Sequence, residues 1–98
     1  MCMAYDPGAI DAALAAAVGD EPGLIAELRL AFVESAERAL AALEQATTRD
    51  AWRDAASRLK GLAASFGAVR LMALAGEAVE SEPDPALLAR LRRAVTRL

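Results

Sequence analysis

The sequence predicts an all-α protein, an antiparallel up-down four-helix bundle with a short extra helix at the N-terminus. Hydrophobic residues make up 56% of the 98-residue chain, and most of them are alanine and leucine, which cost little in a helix. β-branched residues are few and scattered, which disfavours a sheet. Apolar residues recur at spacings of three and four, between short segments that hold proline, glycine or acidic residues.

The first two predicted helices begin alike. Asp6-Pro7 is typical of an N-cap followed by proline at the first helical position, and Gly19 ends the helix that follows. Asp20-Glu21-Pro22 starts the second and longest helix, which we expect to run to about Ala46. The apolar stripe of the first helix is Ile10, Leu14, Ala17 and Val18, and that of the second is Leu24, Leu28, Phe32, Ala36, Ala39 and Leu43.

The third helix follows a polar cap, in which Thr47-Thr48 and Asp50 resemble a capping box with aspartate in place of glutamate. Gly67 is expected to end this helix, and the segment from Ser81 to Pro85 to end the fourth and cap the fifth. The predicted buried face of the third helix is Trp52, Ala55, Ala56, Leu59, Ala63 and Phe66. The stripes of the last two helices are Leu71, Met72, Ala75 and Val79, then Leu87, Leu88, Leu91, Val95 and Leu98.

Short connections predict that neighbouring helices pack antiparallel. We expect a single domain over residues 1–98, whose bundle core spans about 20–98 and whose first helix lies across one end. A chain of this size can fold alone, although it buries a smaller fraction of its surface than a large domain does.

Composition excludes several classes of protein. A net charge of −3 disfavours nucleic-acid binding, and no apolar run is long enough to span a membrane. The N-terminal MCMAYDPG lacks the basic and apolar regions of a secretory signal. Cys2 is the single cysteine, so no disulfide forms within one chain, and we expect a cytoplasmic location.

Histidine is absent, which removes the commonest general base and the commonest metal ligand. Serine–histidine and cysteine–histidine catalysis, and zinc sites of the cysteine/histidine type, are therefore excluded within this chain. The sequence has neither a P-loop nor G-x-G-x-x-G. We expect no enzyme, no cofactor and no metal.

The outward face of the third helix holds the candidate functional residues. Gly61 costs a helix roughly 1 kcal/mol relative to alanine, which indicates either the close approach of another surface or a tolerated glycine. Arg53, Arg58 and Lys60 make the region locally positive, and Arg70 is a further candidate. The alternative is ordinary surface charge, with Asp54 and Arg58 as an i,i+4 ion pair.

The segment AASRLKGLAASFGA, residues 55–68, resembles the signature of histidine-containing phosphotransfer (HPt) domains. That signature is roughly A-H-x-L-K-G-(small)-x-x-x-(aliphatic or aromatic)-G-A. RLMALAGEAVE at 70–80 is similar to the helix that follows the signature, and residues 24–46 are similar to the long second helix of the family. The matching positions of the signature are Leu59, Lys60, Gly61, Ser65, Phe66, Gly67 and Ala68.

The resemblance implies a docking function without phosphotransfer. In the family, an imidazole takes a phosphoryl group from an aspartyl phosphate, and that histidine falls on Ser57 here. A serine hydroxyl with no base beside it is a poor acceptor, and a phosphoserine ester is too stable to return its phosphate. We therefore expect the surface to bind a response-regulator receiver domain or a histidine kinase. The implied docking residues are Arg53, Asp54, Arg58, Lys60, Gly61 and Ala64.

Two other interpretations stay open. In the first interpretation, the bundle is a structural or oligomerisation module, and its C-terminal arginines pair with an acidic surface of another chain. In the other, Ser57 replaces the histidine of an ordinary phosphorelay intermediate. The arginines of the first alternative are Arg90, Arg92, Arg93 and Arg97.

Overall fold

The structure, a computed structural model, describes Ala12, Leu14 and residues 21–98. Within these residues it is all-helical, which confirms the predicted fold class. The predicted N-terminal helix lies largely outside the described residues, although Ala12 and Leu14 are helical and Leu14 is buried. The four described helices are α1 (Pro22–Gln45), α2 (Arg49–Phe66), α3 (Val69–Val79) and α4 (Pro85–Thr96).

The helices form a ring in which α1 packs on α2, α2 on α3, α3 on α4, and α4 on α1. The rings of Phe32 and Phe66 stack with centroids 4.5 Å apart, so the N-terminal half of α1 lies beside the C-terminal end of α2. Arg29 donates a hydrogen bond of 3.1 Å to the backbone oxygen of Leu98, which follows α4. These contacts make α1 antiparallel to α2 and to α4, and the hydrogen bond from the Trp52 indole N–H to the Ala78 carbonyl shows the same for α2 and α3.

The core consists mainly of the faces that the apolar spacing predicts, but Leu40 of α1 and Ala94 of α4 are buried as well. Leu24 is 39% exposed. Phe32 packs against Phe66 at the end of α2, and Leu24 lies about 12 Å further toward the start of α1, so α2 does not reach it.

In α3 the predicted Leu71 and Ala75 are buried, and the predicted Met72 and Val79 are half-buried. Leu74 and Ala78 are buried in addition, because α3 is covered by α2 on one side and α4 on the other. The buried residues of α2 are Trp52, Ala55, Ala56, Leu59 and Ala63, with Phe66 half-buried against them.

Local signals set the helix ends. The Thr48 hydroxyl accepts a hydrogen bond from the Ala51 N–H at 3.1 Å, so Thr48 is the N-cap of α2. Gly67 ends α2 with φ of 72°, a left-handed conformation that favours glycine. The Asp84 carboxylate accepts from the first N–H groups of α4, which begins with Pro85.

In the part of the chain that the structure describes, none of the helices has the length and apolar character needed to cross a membrane.

Candidate functional site

The buried residues of α2 determine which of its residues face outward. Successive residues of a helix are rotated by about 100°, so Ser57, Gly61 and Ala64 lie opposite the buried Leu59. All three are exposed in the structure. We call Ser57, Gly61 and Ala64 the α2 ridge.

The other predicted docking residues lie on two flanks of this ridge. Asp54 and Arg58 line a shallow groove between α2 and α1. Lys60 reaches the other way: its Cε and Nζ lie 3.8 and 4.0 Å from the position that a Cβ would take on Gly76 of α3. The helical rotation places Arg53 on the same flank as Lys60. The six predicted docking residues therefore share one exposed helix surface but point to different neighbours.

Three cations of the α2 surface, Arg53, Arg58 and Lys60, form no ion pair with the residues that the structure describes. Among the described residues, no carboxylate oxygen lies within 4 Å of the charged groups of Arg53, Arg58 or Lys60, and the possible Asp54–Arg58 pair is not formed. An exposed i,i+4 pair contributes only about 0.3–0.5 kcal/mol, so its absence costs little. Three other arginines are paired, in Arg49–Glu82, Arg90–Glu77 and Arg92–Glu44.

Ser57 has no activating partner in the described part of the chain, where its hydroxyl takes part in no hydrogen bond. Asp54 stands one turn earlier but is not bonded to it. The Ser65 hydroxyl, two turns further along α2, donates to the Gly61 carbonyl at 2.9 Å, which is a bond within α2 itself. An activated serine needs a base within hydrogen-bonding reach, and this arrangement holds Ser57 as an unassisted hydroxyl.

Gly61 is not required by the packing or the backbone of the described chain. A Cβ built on it meets no atom within 4 Å. Its φ is not positive, because Gly67 is the one residue with positive φ in the described ranges. The open space over Gly61 therefore faces outward.

Gly61→Ala is expected to raise the free energy of unfolding by about 0.5–1 kcal/mol, because alanine loses less backbone entropy in a helix and meets no clash here. Urea unfolding followed by circular dichroism measures the change. Gly67→Ala is the matched control and should destabilise the chain, since its φ is 72°. A loss of stability in Gly61→Ala would show that the fold itself needs this glycine.

The arginines of α4 are partly engaged within the chain. Arg90 pairs with Glu77 at 3.6 Å, and Arg92 pairs with Glu44. Arg93 and Arg97 are exposed. Two of the four arginines proposed for pairing with another chain therefore already bind carboxylates of neighbouring helices.

The contact between Lys60 and Gly76 could not be predicted from the sequence. The two residues lie on different helices, and nothing in the spacing of α2 or α3 indicates that they meet. The available signal was a further glycine inside a predicted helix, 16 positions after Lys60 in the printed sequence.

Comparison with protein families completes the assignment. The family model for the Hpt domain matches residues 27–98, which cover most of α1 and all of α2, α3 and α4. Hpt domains are phosphotransfer modules of two-component signalling rather than enzymes. The chain belongs to the Hpt domain family, whose members interact with receiver domains and kinases. Comparisons with curated proteins and with solved structures gave no match.

Proposed function

We propose that this chain is a phosphorelay protein that docks a response-regulator receiver domain or a histidine kinase and carries no phosphate itself. One observation supports this most strongly. Ser57, at the position that the resemblance gives to the phospho-accepting histidine, is exposed and unassisted, and the same helix surface has open space over Gly61 and cations that pair with no carboxylate of the described residues. This combination supports a surface that binds a partner and lacks the residue that would accept the phosphate.

The chemistry of the acceptor separates docking from transfer. In transfer, a nucleophile attacks the phosphorus while the aspartate carboxylate leaves with the electron pair of the broken P–O bond. A neutral imidazole offers a nitrogen lone pair at physiological pH and forms a labile P–N bond, so the step is reversible. Ser57 would have to lose its proton without a base and would form a stable ester. The expected end state is a bound partner that keeps its phosphate.

The charges of the α2 surface suit an acidic partner site. The active site of a receiver domain is an acidic pocket, and a local positive surface on a chain of net charge −3 favours one orientation of approach. Lys60 supplies charge from the α3 flank and Arg58 from the α1 flank. The small side chains of the α2 ridge leave room between them for the partner's loops.

Lys60→Glu is expected to weaken binding of a receiver domain by at least about tenfold, because it replaces an attraction to the acidic pocket by a repulsion. Isothermal titration calorimetry with the receiver domains of the same genome, each activated with beryllofluoride, measures this.

Arg93→Glu is the matched control, since it makes the same change of charge on the exposed side of α4 and should leave the affinity within about twofold. The proposed function is wrong if no receiver or histidine-kinase domain binds the wild-type chain, or if Lys60→Glu binds as tightly as the wild type.

A further inference from the structure

Lys60 is the single lysine of the chain, since the other ten basic residues are arginines. Its tip crosses from α2 to α3, where Cε and Nζ lie 3.8 and 4.0 Å from the position of a Cβ on Gly76. No carboxylate pairs with it within residues 21–98. The end of the side chain is therefore placed by packing over α3 and not by an ion pair.

Neither the backbone conformation nor the packing of α3 requires a glycine at position 76. Its φ is not positive, and the nearest atoms that a Cβ there would meet belong to Lys60, at ordinary contact distance. A methyl group would fit, but a side chain extending past Cβ would occupy the space that the tip of Lys60 now fills. A small residue at this position is therefore what lets Lys60 lie against α3.

We infer that Gly76 is a positioning residue of the docking surface: its small size fixes the Lys60 ammonium on the α3 flank of the α2 ridge. This inference rests on the proposed function. A lysine side chain loses considerable rotamer entropy when a partner immobilises it, and a side chain already placed loses less. The partner's anionic group, a carboxylate or an aspartyl phosphate, would then meet Lys60 between α2 and α3.

The test compares Gly76→Gln with Gly76→Ala and with Gly23→Gln, a matched change at an exposed glycine of α1 whose Cβ position is open. Nuclear Overhauser contacts between the Lys60 ε-protons and the residue-76 α-protons report the position directly, and the single lysine gives one set of signals. Gly76→Ala should keep the contact and the affinity for a beryllofluoride-activated receiver. Gly76→Gln should lose the contact and about tenfold in affinity, whereas Gly23→Gln changes neither.

The same substitution in a Lys60→Ala background decides whether Gly76 acts through Lys60. There, Gly76→Gln should have no further effect on receiver affinity. The inference is overturned if Gly76→Gln binds as tightly as the wild type, if its loss persists without Lys60, or if the wild-type contact is missing. A wild-type chain that binds neither a receiver nor a histidine-kinase domain overturns the proposed function and the docking role of Gly76 together, which separates that failure from the others.

Discussion

Ser57→His is expected to convert the chain into a phosphate acceptor. The substitution places an imidazole on the exposed α2 ridge, between the flanks that carry Lys60 and Arg58. A nitrogen lone pair would then attack the phosphorus of an aspartyl phosphate, and the carboxylate would leave. We expect the rate of acceptance to rise by at least the order of a thousandfold, since enzymes that lose their nucleophile fall by this much or more.

The measurement uses receiver domains phosphorylated with radioactive phosphate and follows the label onto the histidine variant. Ser57→Ala is the control for the changed side chain and should accept nothing. The double variant Ser57→His/Lys60→Glu should accept more slowly than Ser57→His alone, because docking is weakened. If Ser57→His takes no label from a receiver that it binds, the α2 ridge is not a phosphotransfer surface and the structural-module interpretation gains support.

Trp52→Ala is expected to have the largest effect on stability. The indole is 2% exposed, and its N–H donates to the Ala78 carbonyl at 2.9 Å and to the Ser81 hydroxyl at 3.3 Å. These bonds join the beginning of α2 to the end of α3. Removing the ring should cost about 3–5 kcal/mol through lost burial and a cavity, a large share of the 5–15 kcal/mol typical of a domain.

Thermal unfolding followed by circular dichroism measures this loss, with urea unfolding where the variant is still folded at 25 °C. Trp52→Phe is the informative control, because it keeps an aromatic ring but leaves the Ala78 carbonyl without its indole donor. We expect this variant to lie between wild type and Trp52→Ala. A loss below about 1 kcal/mol in Trp52→Ala would contradict the burial and the hydrogen bonds that the structure gives this residue.

The parts of the fold that the sequence predicts well depend on local rules. The spacing of Trp52, Leu59 and Ala63 predicts their burial, because a helix places residues three and four apart on one face. Pro85 and Gly67 predict the beginning of α4 and the end of α2, because each suits one backbone conformation. These signals lie within a few residues of the feature they determine.

The features that the sequence does not predict depend on how helices meet. Leu24 fits the apolar spacing of α1 but is exposed, because α2 ends at the level of Phe32 and does not extend as far as Leu24. The motif around Ser57 predicts the residues of the candidate site, yet it cannot predict that Lys60 rests over Gly76. Asp54 and Arg58 have the spacing of an i,i+4 ion pair, but the pair is not formed, because so weak an interaction does not hold two exposed side chains together.

The most direct test of docking without transfer uses the wild-type chain and a receiver domain whose aspartate carries radioactive phosphate. Gel filtration separates the complex, and denaturing electrophoresis at neutral pH shows which chain holds the label. We predict that the two chains elute together and that the label stays on the receiver. Label on the Ser57-containing chain, or separate elution from every receiver and histidine-kinase domain tried, would contradict the proposed function.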